Sequence, residues 1–255
     1  SLYVIGVVRI KRNLNRVNKP IIMLLKCLLE GIKIMRQSNT QTDEKLILRG
    51  YWRSSATWRV RIALHYKEIP FEYQPVHLVH NGGEQHTLEE LKRNPLAQVP
   101  TLELDDGTIL TQSLAIIDYI ESMNPIPSVY PHSPIERAQA LQMAEMINSG
   151  IQPLQNLSLL IKVNELGADK RQWGHDYIKK GLSALEYVVN QTKQSRCLIG
   201  DTPTIADFCL IPQLYNARRF KVNLSEMPQL CAVETHCQGI MAFQMAAPDV
   251  QIDAQ

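Results

Sequence analysis

The 255-residue sequence has no long apolar run. Its longest, Ile21 to Leu29, is broken by Lys26 and is far shorter than the about 20 residues a bilayer-spanning helix needs. A membrane-spanning helix is thereby excluded. The sequence also lacks a Cys-x-x-Cys pair, and none of its five cysteines (Cys27, Cys197, Cys209, Cys231, Cys237) stands at zinc-ligand spacing with a histidine. No metal is expected, and the odd cysteine count reads as reduced, structural thiols in a reducing compartment. With 12 Gly and 14 Pro, collagen-like and low-complexity readings fail. What is present is ordinary for a globular chain: 45% hydrophobic and 20% charged residues, enough for a buried core in one large domain or two ordinary ones.

The net charge of +2 hides an asymmetry. Residues 1–40 hold eight Lys/Arg against one acid, Glu30, whereas the remainder holds nineteen against twenty-four. The body is therefore mildly acidic and offers nucleic acid no basic footprint. The head resembles a transit peptide in its Arg and Lys, but transit peptides are Ser-rich and this segment has only Ser1 and Ser38. Residues 1–44 are read as a basic extension, disordered or absent from the mature protein, with Met23 or Met35 as alternative starts. Localisation is expected in the cytoplasm, with mitochondria open if the extension is real.

From residue 45 the pattern becomes structural. Leu46-Ile47-Leu48 predicts a strand, and Val60, Ala63, Leu64 and Lys67 mark a helix over 56–67 behind the capping serines Ser54 and Ser55. Phe71 to Leu78 predicts a second strand, and Thr87 with Glu90 a short capped helix. Val99 to Leu104 and Thr108 to Leu110 flank Asp105-Asp106-Gly107 as a hairpin. Ser113 to Met123 predicts a long helix with Ser113 as its cap. The order β-α-β-α-β-β-α requires a mixed four-stranded sheet over 45–124. Four prolines between Asn124 and Pro134 mark a linker at 125–132. Residues 133–255 read as all-α: a long helix from Pro134 to about Leu166 kinked at Pro153, a second over 172–194, a third from Thr204 to about Arg218, and a fourth over 228–241.

Three places in the first half suit an anionic, peptide-like ligand. Ser54 and Ser55 stand at a helix start, where free N–H groups and the dipole favour a thiolate; capping alone accounts for one serine. Val99-Pro100, if cis, turns the main chain of Val99 outward to pair with a peptide, although a strand-opening proline explains it equally. Gln112-Ser113 opens the next helix and suits a carboxylate, with capping again the plain alternative.

These residues carry a family resemblance. Tyr51-Trp52-Arg53-Ser54-Ser55-Ala56-Thr57-Trp58-Arg59-Val60-Arg61-Ile62-Ala63-Leu64 resembles the zeta-class glutathione transferases, the maleylacetoacetate isomerases. The likeness continues through Asn81 to Gln85, Asn94 to Leu102, Gln112 to Ile117, Gly150 to Ser158 and Asn216 to Val222, covering roughly 45–248. It implies a thioredoxin-like N-terminal domain, an all-helical glutathione-transferase C-terminal domain and a homodimer. It also implies roles. Ser54 would hold the glutathione thiolate with Ser55 in support, Gln85 and Val99 the tripeptide backbone, and Gln112 and Ser113 the γ-glutamyl end. Gln152, Asn156, Leu157 and Ser158 would line the site from the helical side, and Arg219 would face a carboxylate of a small electrophilic substrate.

The implied reaction is conversion of maleylacetoacetate to fumarylacetoacetate, a step of phenylalanine and tyrosine breakdown, by transient thiolate addition across the cis double bond. One departure stands out. The family carries a cysteine directly after the two serines, and this sequence has Ala56. That keeps open a transferase acting on α-halo acids or other electrophiles. A non-catalytic binding protein of the same fold is the third reading, and a dithiol redox role is set aside because Ser54 to Thr57 occupies the place of the Cys-x-x-Cys.

Overall fold

A computed structural model describes residues 45–192 and 195–255, and Lys45–Gln255 form one compact unit. The expectations for residues 1–44 lie outside the described residues. The first half is built on β1 (Ile47–Gly50), which pairs in parallel with β2 (Glu72–Pro75) across the helix α1 (Ser55–Tyr66). On its other side β1 pairs antiparallel with β3 (Thr101–Glu103), Leu48 opposite Leu102. β3 and β4 (Ile109–Thr111) form the expected hairpin, so the sheet order is β2-β1-β3-β4. Its turn uses Gly107 at φ +83°, a left-handed position that suits glycine, and Asp106 accepts from the Thr108 N–H at 2.8 Å. Two further helices complete this half, α2 (Leu88–Arg93), capped by Thr87, and α3 (Ser113–Met123). The core beneath them is Leu48, Val60, Ile62, Leu64, Leu102, Ile116 and Ile117, all fully buried.

The expected strand over 71–78 shrinks to Glu72–Pro75. Beyond it the His77 N–H leaves the sheet for the Glu84 carboxylate at 2.6 Å, which bends the chain into a loop. After α3 the proline-rich coil is fastened by Lys67. Its buried ammonium pairs with Glu121 at 2.5 Å and donates to the carbonyls of Asn124 and Pro127, while Glu121 accepts from the Val129 N–H.

The second half comprises α4 (Pro134–Asn148), α5 (Leu157–Glu165), α6 (Lys170–Asn190), α7 (Ile205–Arg219), α8 (Pro228–Gln238) and α9 (Met241–Ala246). The single kinked helix expected over 134–166 is instead two helices. A 3-10 turn at Gln152–Gln155 separates them, Pro153 offers no N–H to carry α-helical bonding through, and Asn156 is extended at φ −62°, ψ 145° before α5 begins. Likewise the helix expected over 228–241 ends at Gln238 and restarts at Met241. α7 is buried on almost every face and packs against α1, α4 and α8. It starts with a capping box: Asp207 accepts from the Thr204 N–H at 2.7 Å and Thr204 Oγ1 accepts from the Ala206 N–H at 3.3 Å.

Candidate active site

The turn from β1 into α1 sets Ser54. Gly50 permits it: a Cβ there would lie 2.2 Å from Thr57 Cγ2, so only glycine lets the strand end this close to the helix start. Ser54 is extended at φ −68°, ψ 120°, and its Oγ accepts from the Thr57 N–H at 3.3 Å. Capping is thus real, and it uses a lone pair only. The hydroxyl hydrogen stays available to a ligand at the positive end of α1.

Ser54 opens onto a cavity of about 380 Å³. The same cavity is lined by Gln85, Val99, Gln112, Ser113, Gln152, Asn156, Leu157 and Ser158, which the family resemblance implied from four separate segments. The broken α4–α5 connection delivers the last four of these. Gln152 Nε2 donates to Asn156 Oδ1 at 2.5 Å, so the two amides stand as a fixed pair in the wall. The Val99–Pro100 peptide is cis. Gln85 lines this wall with its side chain buried, and among the described residues its Oε1 has no partner. Gln112 holds φ 69°, ψ 112°, a region costly for a residue with a Cβ, and such strain concentrates at ligand sites.

Ser113 departs from expectation in one respect. Gln112 is the cap residue of α3, Ser113 is the first helical residue, and no side chain caps that end. The Ser113 hydroxyl is turned inward instead, where Arg59 Nη1 donates to its Oγ at 3.4 Å. The α3 N–H groups are therefore left for something else.

Ser55 and Arg219 are not in the cavity wall. Ser55 is buried behind it, and its Oγ accepts from Asn216 Nδ2 at 2.7 Å. Arg219 lies exposed at the end of α7, and its Nη1 donates to Asn216 Oδ1 at 3.0 Å. Asn216, buried and contributed by the helical half, thus joins the two. Although the residue is exposed overall, partial desolvation of its guanidinium, and then the neighbouring Arg53, lower the Arg219 pKa, so two guanidinium groups share one region and favour an anion there.

Several contributors were not singled out in the sequence. Asn216 sat unweighted inside the Asn216 to Val222 run. Asp253 had no signal at all, being 201 residues from its partner: its Oδ2 accepts from the Trp52 N–H at 2.9 Å. Arg61 Nη2 donates to the Trp52 carbonyl at 2.7 Å and Arg61 Nε to that of Ala246 at 3.0 Å. The main chain just before Ser54 is therefore held from both sides. Burial lowers the Arg61 pKa to about 10, with Tyr73 and Asp253 opposing, so it stays charged at neutral pH.

One cluster outside this site has metal-like composition: the ligand atoms of Cys197, Asp207 and Cys237 lie within 4.8 Å of one another. Asp207 is already engaged by the N–H groups of Leu198 and Thr204 and the Thr204 hydroxyl. The Cys237 thiol is pushed up by its hydrogen bond with Cys197 and by burial. The cluster serves capping and packing.

The sequence matches the family descriptions "Glutathione S-transferase, N-terminal domain" over residues 53–123 and "Glutathione S-transferase, C-terminal domain" over 177–239. It is 42% identical over 217 residues to a maleylacetoacetate isomerase of Dictyostelium discoideum, covering 84% of this chain and 98% of that protein. Among solved structures it is similar to a maleylacetoacetate isomerase from Anaeromyxobacter dehalogenans 2CP-1 with GSH bound in the active site. That match has 41% identity and a TM-score of 0.75, covering 83% of this chain and 99% of that one. It is also similar to a maleyl pyruvate isomerase described as a bacterial glutathione S-transferase of the zeta class. There the identity is 35% and the TM-score 0.78, covering 82% of this chain and all of that one. The chain belongs to the glutathione S-transferase family, in the zeta class of the maleylacetoacetate isomerases.

Proposed function

We propose that the protein is a glutathione-dependent isomerase that converts maleylacetoacetate to fumarylacetoacetate. The observation that carries this reading is the convergence of two helix N-termini, those of α1 at Ser54 and α3 at Gln112-Ser113, on one cavity that Val99 also lines. The residues fit a tripeptide with a thiol and carboxylates: Gln85 in the wall and the uncapped end of α3 are what such a ligand would use. Bound there, glutathione supplies a thiolate that adds reversibly to the conjugated double bond and allows it to rotate.

The chain's own part is threefold. Ser54 donates its hydroxyl hydrogen toward the sulfur, and the α1 dipole favours the anion. Val99, Gln112 and Ser113 orient the peptide so that the sulfur faces its target. Arg219, fixed by Asn216 and reinforced by Arg53, holds a substrate carboxylate through its planar donor fork. We place the enzyme in the cytoplasm, which suits its four free described thiols, and infer that it works as a homodimer, as the family resemblance implies.

Ala56 supports a second reading, glutathione-dependent release of halide from small α-halo acids. It lines the cavity beside Ser54 where the family carries a cysteine, and its methyl offers neither proton nor nucleophile. Turnover of a maleylacetoacetate-type cis substrate and of a chloro acid, each with and without glutathione, separates the two. The isomerase reading expects glutathione-dependent isomerisation that falls at least about a hundredfold in Ser54→Ala. Halide release without isomerisation, with isomerisation gained in Ala56→Cys, would move the function to the second reading.

A further inference from the structure

Arg59 lies about a turn and a half along α1 from Ser54 and is fully buried, at 0% exposure. Its Nη1 donates to Ser113 Oγ at 3.4 Å and to Asn148 Oδ1 at 2.5 Å, two residues of the cavity wall. Its Nε and Nη2 are buried and have no hydrogen-bond partner among the described residues. Among the described residues no ion pair joins it; Glu145 is reached only through Asn148, whose Nδ2 donates to Glu145 at 3.3 Å. A buried guanidinium in this state is costly, since neither water nor a carboxylate offsets its desolvation. Arg61, equally buried on the same helix, leaves only its Nη1 unpartnered: two carbonyls accept from its Nε and Nη2, and the Asp253 carboxylate stands in its field. Arg59 instead faces the N-terminal end of α3, an eleven-residue helix whose dipole is positive there and whose N–H groups have no side-chain cap. Two positive sources converge on one wall of the cavity, and among the described residues no carboxylate forms an ion pair with Arg59 there.

We propose that Arg59 is the buried countercharge for a carboxylate seated at Ser113, which in glutathione is the α-carboxylate of the γ-glutamyl residue. The proposal rests on the reading that the cavity takes glutathione. Arg59 is a positioning residue: it acts through Ser113 and Asn148 and through its field, and the unpaired charge is a stability cost retained for ligand binding.

The test compares affinity for glutathione with that for γ-aminobutyryl-cysteinyl-glycine, the same tripeptide without that carboxylate, by calorimetry on the full chain. Wild type, Arg59→Gln and Arg59→Lys are measured, each with its ligand-free thermal midpoint. Wild type is expected to prefer glutathione. Arg59→Gln is expected to lose about tenfold in glutathione affinity, to bind the analogue within about twofold of wild type, and to melt no lower than wild type without ligand. Arg59→Lys should recover part of the preference. Equal losses for both ligands, an unchanged preference in Arg59→Gln, or a variant that melts far lower or fails to fold would overturn the proposal by making Arg59 structural. A wild type that binds both ligands equally overturns it without any variant. A wild type that binds neither overturns the glutathione reading itself, which is a different result.

Discussion

Asn216 is the residue on which the two halves of the site depend. Its amide donates to Ser55 and accepts from Arg219, so one side chain spans the thiol end and the carboxylate end of the proposed reaction. Replacing it with alanine leaves Ser55 Oγ without its donor and Arg219 without its anchor. Asn216→Ala is expected to cost about 1–3 kcal/mol of stability and about tenfold in kcat/KM for a carboxylate substrate, with glutathione affinity changed by less than about twofold. Denaturant unfolding and steady-state kinetics with each substrate varied check it; a loss confined to glutathione affinity would contradict the assignment. Ser54 shows how a capping residue and a functional one coincide, since capping takes a lone pair and leaves the proton.

Two elements govern how firmly the site is held. The first is the start of α7, where burial outweighs the hydrogen bonds from Leu198, Thr204 and its own backbone and pushes the Asp207 carboxyl up to about 6 from an ordinary value of 3.8. A raised folded-state pKa means that the native protein binds the proton more tightly than the unfolded chain. Its stability contribution is fully present below pH 3.8 and is lost as pH rises through about 6, a change on the order of 3 kcal/mol. Relative to Asp207→Asn, which cannot titrate there, the wild type should lose thermal stability between pH 4 and 6 and run parallel to it above about 7. Melting curves across that range decide it. The second element is the C-terminal segment carrying Asp253. Asp253→Ala removes the acceptor of the Trp52 N–H and of the Tyr73 hydroxyl, which is 3.3 Å away. It is expected to destabilise by about 1–3 kcal/mol and to lower kcat while glutathione still binds; unaltered melting and kcat would show that the loop before Ser54 holds itself.

At the scale of the whole molecule, much was legible because the signals are local. The β1–α1 turn, the Asp105-Asp106-Gly107 hairpin and the Thr204 capping box each lie within a few residues, and each formed as its pattern required. The mixed character of the sheet followed from one crossover and one hairpin, and the structure supplies its order, β2-β1-β3-β4. What was not legible depends on distant partners. Nothing near Asp253 announces a bond across 201 residues, and nothing near Ser113 says that Arg59 will draw its hydroxyl inward rather than leave it to cap α3. The break between α4 and α5 was half-visible: Pro153 marked the place, but a proline alone does not distinguish a kink from a restart. Nine of the eleven site residues that the family resemblance implied line one cavity, while Ser55 and Arg219 lie outside its wall, joined by Asn216.

The central claim is that this cavity binds glutathione as a thiolate through Ser54 and the α1 N-terminus. Titrating the ultraviolet thiolate absorbance of glutathione bound to the wild type and to Ser54→Ala tests it most directly. The account predicts a bound thiol pKa at least about one unit below the ordinary 8.5 in the wild type, moving back toward that value in Ser54→Ala. A bound thiol that titrates near 8.5 in both proteins would contradict it.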